Sequence, residues 1–438
     1  MSTAVLPARS RRRVRPFGIP LLATATVLCL LVLLPAGYAA AEVVDFWTWT
    51  GGTSYELENQ ILDLFRKERP DLTLNYDQKS VRNGDALLVA IVGDAAPDLV
   101  TTHQDWHRDF AAQSAFLDLR PFIERDGFDL SIFPAEIMKF YTGPNGEITG
   151  FPWLFTTIVL GYNKRVFDER AVPYPTADWD LDQMVAAARR LTVRDADQGS
   201  TTQWGLHVGV LWEYVWRLWG VTFMSEDGTR SNLSDPRAID AFTWYAGLFL
   251  QEQVVHSETG GSSNLPDWVN GRIGMTLNWP HYLTAWGAQM TDEWDIEEIP
   301  TGPVGHKVAR GATAGWAIPI NANNPEGAWQ VLKFLASHEA QMALLETGRG
   351  GVSLPAIAEF ATNTAQAGGP RMFSNVQAYI NSYQHASIDY YPPNFNSIRT
   401  QLLRPAVLRM QDGRAAPQSI LPEIARQIEA SVREYLAQ

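Results

Sequence analysis

Five tryptophans fall where a folded chain would offer them to a ligand. Trp49 follows a strand-like run, Trp106 follows another, and Trp153, Trp279 and Trp316 sit beside Gly or Pro at further turns. An indole has a flat apolar face and one N–H donor, which suits stacking on the C–H face of a sugar ring. The chain holds sixteen tryptophans in 438 residues, so some must fill cores; those at strand ends point toward carbohydrate. Trp212, Trp216 and Trp219 recur at helical spacing, the mark of a core stripe, and of these Trp212 is the one expected to reach a cleft. Gly51 and Gly52 lie just past the carboxyl end of the first strand, where open α/β sheets bind ligands. Arg349, between Gly348 and Gly350, is placed openly enough to reach a hydroxyl pair or a carboxylate.

Hydrolytic chemistry finds less support. A secreted glycosidase or lyase is the enzyme alternative, and it needs two carboxyls roughly 5–10 Å apart. Asp45, Asp105 and Glu213 are candidates, but no spacing singles out a pair. GxSxG, HExxH, P-loop and Rossmann glycine patterns are missing, and the eight histidines are scattered. The sequence therefore predicts no catalytic residue, no metal and no cofactor.

The first forty-one residues read as an address. Arg9, Arg11, Arg12, Arg13 and Arg15 precede the apolar run from Ile19 to Leu34, and Ala39-Ala40-Ala41 offers a small-residue cleavage site before Glu42. That is the layout of a secretory signal peptide. The alternative is an uncleaved anchor, because the run approaches the roughly 18 residues that span a bilayer. Ser10-Arg11-Arg12 hints at twin-arginine export. Cys29, the only cysteine, follows the bulky Leu28 and does not fit a lipoprotein site. Cleavage would remove five arginines and no acid, taking the net charge from −13 to −18. Such an acidic chain is ill suited to nucleic acid. An exported, cysteine-free, soluble protein held by its core is expected.

Strand and helix patterns alternate along the chain. Glu42–Thr50 reads as a strand, Tyr55–Arg69 as a helix, Leu72–Tyr76 as a strand, 84–92 as a helix and the end of 94–100 as a strand. This order predicts a parallel sheet covered by helices. Ile148–Tyr162 is a long extended run; Leu181–Leu191, Pro236–Gln251, Pro325–Ala336 and Ile420–Leu436 are helices; Ile273–Leu277 and Trp316–Ile320 are strands. No internal repeat and no Ser/Gly-rich linker divides the chain, so two domains would be joined by structured crossings.

The ordered segments FWTWTGG, LFRKERPDL, GDAAPDLV, LDLRPFI, GEITGFPWLFTTIVLGYNKRVFDERAVPYP, NGRIGMTLNWP, AGWAIP and NPEGAWQVLKFLASHEAQ resemble the extracellular solute-binding proteins of bacterial ABC importers, in particular the sugar-binding, maltose-binding-protein-like group. The resemblance implies an α/β, two-lobe, type II periplasmic-binding-protein-like fold with three hinge crossings and a ligand cleft between the lobes. It places the crossings near Phe151–Thr156, 310–315 and Ser353–Pro355. The lobes would then be 42–152 plus 311–353, and 153–310 plus 354–438. One local departure is Ala177-Asp178-Trp179 after Pro175-Thr176, where the family usually starts a helix with Pro-x-Thr-Trp.

The resemblance also implies site residues. The loop 101–106 (TTHQDW) is similar to a ligand-contacting loop of the family, with His103, Asp105 and Trp106 as candidates. Trp153 and Phe155 would line the cleft floor, Trp279 resembles the stacking aromatic of the second lobe, and Gly315-Trp316 resembles the segment at the second crossing. Tyr390-Tyr391 is similar to the adjacent tyrosines of ferric-ion binders in a related family, though no further anionic ligand accompanies it; a polyamine is a further alternative. The expected function is reversible binding of a sugar, favouring a neutral di- or oligosaccharide or a polyol. The implied partners are that carbohydrate and the membrane permease of an ABC transporter, with the protein acting as a monomer.

Overall fold

Alternation along the first strand decides which way the chain faces. In β1 (Glu42–Thr48), Val44, Phe46 and Thr48 are buried and the intervening residues are not, as expected where one face of a strand meets a core. A computed structural model describes residues 42–437 except 83, 198–199, 226, 257–264, 347–350, 354, 358, 361–372, 390 and 393–394. β2 (Leu72–Gln78) and β3 (Leu99–His103) flank β1 in parallel, with Glu42 opposite Leu72 and Phe46 opposite Leu99. The helix Thr53–Glu68 lays Ile61, Leu62 and Phe65 against this sheet.

The long apolar run expected as one extended piece is two strands in two different sheets. β4 (Phe151–Thr157) pairs antiparallel with a later strand of the first sheet, whereas β5 (Val159–Asn163) lies inside the second. Only Ile158 separates them, and its N–H donates to the Arg310 carbonyl. A division at 152/153 would therefore cut β4 in mid-strand. The second sheet adds β6 (Val193–Arg194), β7 (Thr201–His207), β8 (Ile273–Asn278) and β9 (Trp294–Glu297), in the order β6-β7-β8-β5-β9.

The chain returns to the first sheet between Glu297 and Ala309. There β10 (Ala309–Ala317) runs between β3 and β4, antiparallel to both. The strand expected at Trp316–Ile320 thus begins earlier and ends at Ala317. Val352, Ala356 and Ile357 still pack with first-lobe helices, while Phe373 packs with Trp268 and Trp294 of the second lobe. The chain changes sides between Ile357 and Phe373, beyond the Ser353–Pro355 expected from sequence. β11 (Ala386–Ser387) then adds to β10, and the helices Arg404–Gln411 and Pro417–Leu436 close over the second core. Among the described residues, no helix is long and apolar enough to cross a membrane.

Helix ends follow local chemistry. Asp180 and Gln183 form a reciprocal capping box on Leu181–Leu191, and Asp235 caps Pro236–Leu250 with proline at the first helical position. Helix 181–191 approaches β7 closely because Gly205 has no side chain: a Cβ there would lie 2.0 Å from the Ala188 carbonyl oxygen. Gly205→Ala should therefore lower the unfolding free energy by about 1–3 kcal/mol or more, the usual cost of overpacking. Urea denaturation reads this directly, and an unchanged midpoint would mean that the helix shifts freely.

Candidate functional site

The parallel strands of the first sheet end at one edge. Threonines tie that edge together: the Thr48 hydroxyl bonds the Thr50 hydroxyl at 3.0 Å, and Thr101 donates to Thr48 at 3.3 Å. Beyond it the chain delivers Trp49 from β1, His103 and Asp105 from β3, and Arg82 from the turn after β2. The Asp105 carboxylate lies 3.3 Å from His103 Nδ1 and 3.8 Å from Arg82 Nη1. The Arg82 guanidinium sits over the Trp49 ring at 5.2 Å, and His103 meets the same ring edge-on at 6.1 Å. Burial pulls the His103 proton affinity down, against the attraction of Asp105. Burial also disfavours the charge of Asp105, but His103, Arg82 and Arg399 outweigh it and hold the carboxyl well below its usual range.

A second group faces this one from the other lobe. Glu213, in the short turn Leu211–Glu213, pairs with Arg310 at 2.7 Å and with Arg399 at 3.6 Å. Arg310 belongs to β10 of the first sheet, so its pair with Glu213 spans the two lobes. Its guanidinium lies 5.2 Å from the centre of the Trp279 ring. Burial works against the Arg310 charge, and Glu213 and Tyr391 more than compensate, so its pKa is raised. Arg399 projects from the π-helical segment Ile398–Leu403, an irregularity that recurs at functional sites. Tyr391 stacks on Phe395 with centroids 3.9 Å apart. The two groups are electrostatically joined: Arg399 acts on Asp105 and Arg82, and Arg310 acts on His103.

The expected aromatic and polar site residues that are described fall in four places. Trp49, His103 and Asp105 lie at this seam, and Trp279 meets it from the second core, where it is buried with the Arg310 guanidinium over its ring. Trp153, Phe155 and Trp316 are buried in the first core, because β4 and β10 are covered on both faces. Trp153 backs Trp49 edge-on at 5.5 Å and Trp316 lies behind it. Phe155 packs on Tyr383. Trp106 turns into a satellite core beside Phe110, and its N–H bonds the Arg82 carbonyl at 2.9 Å, fixing the turn that carries Arg82. Trp212 lies in the second core with Arg404 over its ring.

The glycines are structural in three different ways. A Cβ on Gly315 would meet the Tyr141 hydroxyl at 2.5 Å, and one on Gly51 would meet the Gln78 amide at 2.6 Å. Gly52 adopts φ +59° ahead of helix 53–68, with open space around it. Arg349 and Tyr390 lie outside the described residues. Sequence reading passed over Arg82, Arg310 and Arg399, and considered Glu213 only as a candidate acid. One signal was available: Arg310 is the lone charge in the strand ARGATAGWA.

Asp105 is held ionised, and Glu213 lies between the guanidiniums of Arg310 and Arg399. Among the described residues, two buried donors at the seam, Trp49 Nε1 and Arg310 Nε, have no acceptor, and one carboxylate oxygen, Glu213 Oε2, has no hydrogen-bond donor.

Two α/β lobes with a polar, aromatic seam between them define a ligand-binding protein of the two-lobe kind. The sequence profile described as bacterial extracellular solute-binding protein matches residues 50–342, and the chain belongs to that family. A putative binding protein of Brucella abortus is 25% identical over 336 residues, covering 74% of this chain and 77% of its own. An ABC substrate-binding protein of Listeria monocytogenes in complex with cycloalternan superposes with a TM-score of 0.75 at 21% identity, covering 89% of this chain and 98% of its own. UgpB of Mycobacterium tuberculosis in complex with glycerophosphocholine gives 0.75 at 16% identity, covering 90% and 99%.

The loop bearing His103 and Asp105 is pinned by a buried histidine. His107 lies between the Thr102 and Thr149 hydroxyls at 3.0 and 3.1 Å, and burial lowers its pKa to about 3. His207, beside Thr276, is lowered to about 3 by burial, with His256 adding to it. Between pH 6.5 and 3 the unfolded chain binds protons that these folded histidines refuse, so stability falls as pH falls through that window. Each histidine contributes at most about 1.4 kcal/mol per pH unit. Urea denaturation at pH 6.5 and 4.5 should show a smaller loss for His107→Gln than for the parent; equal losses would contradict a neutral His107.

Proposed function

We propose that the protein is the binding component of an ABC importer, taking up a saccharide reversibly between its lobes and delivering it intact to a membrane permease. The observation that carries this reading is the meeting of two half-sites. Trp49, His103 and Asp105 come from one lobe, and Trp279 and Glu213 from the other. Trp49 is only partly buried and is backed by Trp153, as a stacking platform requires. The cycloalternan bound by the Listeria protein supports a carbohydrate ligand by similarity of fold.

In this reading Trp49 and Trp279 supply apolar area, while Asp105, His103 and backbone groups select hydroxyls. Trp106, Trp153, Phe155, Trp316 and Gly315 hold those side chains in place. The lobes would comprise 42–157 with 309–357, and 159–297 with 373–436, hinged at Ile158 and the segment before Ala309. Family membership supports a periplasmic or cell-surface protein; export with cleavage near Ala41 and action as a monomer complete the proposal.

Thermal-shift screening of mono- and oligosaccharides tests it, because a ligand in excess of its Kd raises apparent stability. At least one saccharide should raise Tm without releasing reducing ends, and Trp49→Ala should weaken that binding by about 1–3 kcal/mol. A panel without any response would overturn the reading, and turnover of the sugar would favour the hydrolase.

A further inference from the structure

The seam is unusually basic for this chain. In a protein of net charge −13, it gathers three guanidiniums, from Arg82, Arg310 and Arg399, against two carboxylates, Asp105 and Glu213. Only one of the pairings is tight. Arg310 meets Glu213 at 2.7 Å, whereas Arg399 reaches Glu213 at 3.6 Å and Arg82 reaches Asp105 at 3.8 Å. The last two are ion-pair distances beyond the range of a good hydrogen bond. Arg399 also donates to Asn396 Oδ1 at 2.9 Å. His103, buried and with its proton affinity lowered, does not offset the positive excess.

Donors, too, outnumber acceptors. Among the described residues, the Nε of Arg310, which is more than nine-tenths buried, and the Trp49 indole nitrogen have no acceptor, against one unbonded acceptor, Glu213 Oε2, which faces Arg310 at 2.7 Å. A buried donor left unpaired costs about 1–3 kcal/mol, so a ligand that supplies acceptors recovers that loss. Arg82 and Arg399 also approach from opposite lobes closely enough for their charges to repel, burial being the larger burden on Arg82. An anion placed between them turns that repulsion into attraction and favours the closed arrangement over the open one.

We infer that the seam takes a carbohydrate or polyol bearing an anionic group, a phosphate ester or a carboxylate, seated between Arg82 and Arg310 of one lobe and Arg399 of the other. This rests on the saccharide reading proposed above. The fork of a guanidinium matches the oxygens of either anion. With the anion bound, Arg82 is drawn away from Trp49 and its ring face is opened to the sugar.

The test is a tryptophan-fluorescence titration of the mature chain with matched pairs: glucose and glucose 6-phosphate, glycerol and glycerol 3-phosphate, galactose and galacturonate. Maltose, maltotriose and inorganic phosphate complete the set. At least one charged member should bind about tenfold tighter than its neutral counterpart, the value of one charge-assisted contact. The phosphate and carboxylate pairs identify which anion is preferred. Arg399→Gln should bring that ratio toward one, and Arg399→Lys should retain part of it. A neutral saccharide binding at least as tightly as every charged one would overturn the inference and leave the saccharide reading intact. Inorganic phosphate matching the sugar phosphates, or no binding by any carbohydrate, would overturn both.

Discussion

A charge buried on a strand of small residues governs this structure. Moving an arginine from water into a protein interior costs several kcal/mol unless a well-placed partner offsets it. Arg310 meets that condition chiefly through groups of the opposite lobe, Glu213 at 2.7 Å, Tyr391 and the face of Trp279, with Asp105 of its own lobe adding to them. Its strand is part of the first sheet, so the first lobe depends on the second for the tolerance of its own charge. The seam between the lobes is therefore a designed contact, in which position, charge and hydration are set together.

The surrounding fold supplies that contact with economy of connection. A single residue, Ile158, separates a strand of the first sheet from a strand of the second, and its N–H is held by the Arg310 carbonyl. The residue between the two strands and the residue bearing the buried cation are therefore joined by one main-chain hydrogen bond. Changes in the separation of the lobes act on Arg310 through its main chain as well as through Glu213. In the proposed reading this is a physical route by which a ligand in the seam would bias the lobes toward closure, with the differential contacts made by residues of both.

Much of the fold was legible before any coordinates. Helix 181–191 showed its apolar period and formed over that span, and the helix read from Pro236 behind an Asp235 cap formed and ends at Leu250. The break between β4 and β5 was not visible, because GFPWLFTTIVLGY is apolar throughout and carries no periodicity to mark a change of sheet. The site was half legible. Trp49, His103 and Asp105 follow strands and could be found by that rule. Trp153 and Trp316 look the same in sequence, but their strands are covered on both faces and bury them. Arg82, Glu213, Arg310 and Arg399 come from four distant segments, and only folding shows that their charges meet.

A crystal structure of the mature protein with its tightest saccharide bound tests the central claim most directly. It should place a sugar ring against Trp49, with contacts from both lobes and the Arg310–Glu213 pair intact across the seam. A ligand held by one lobe alone, or seated outside the seam with that pair broken, would contradict the account.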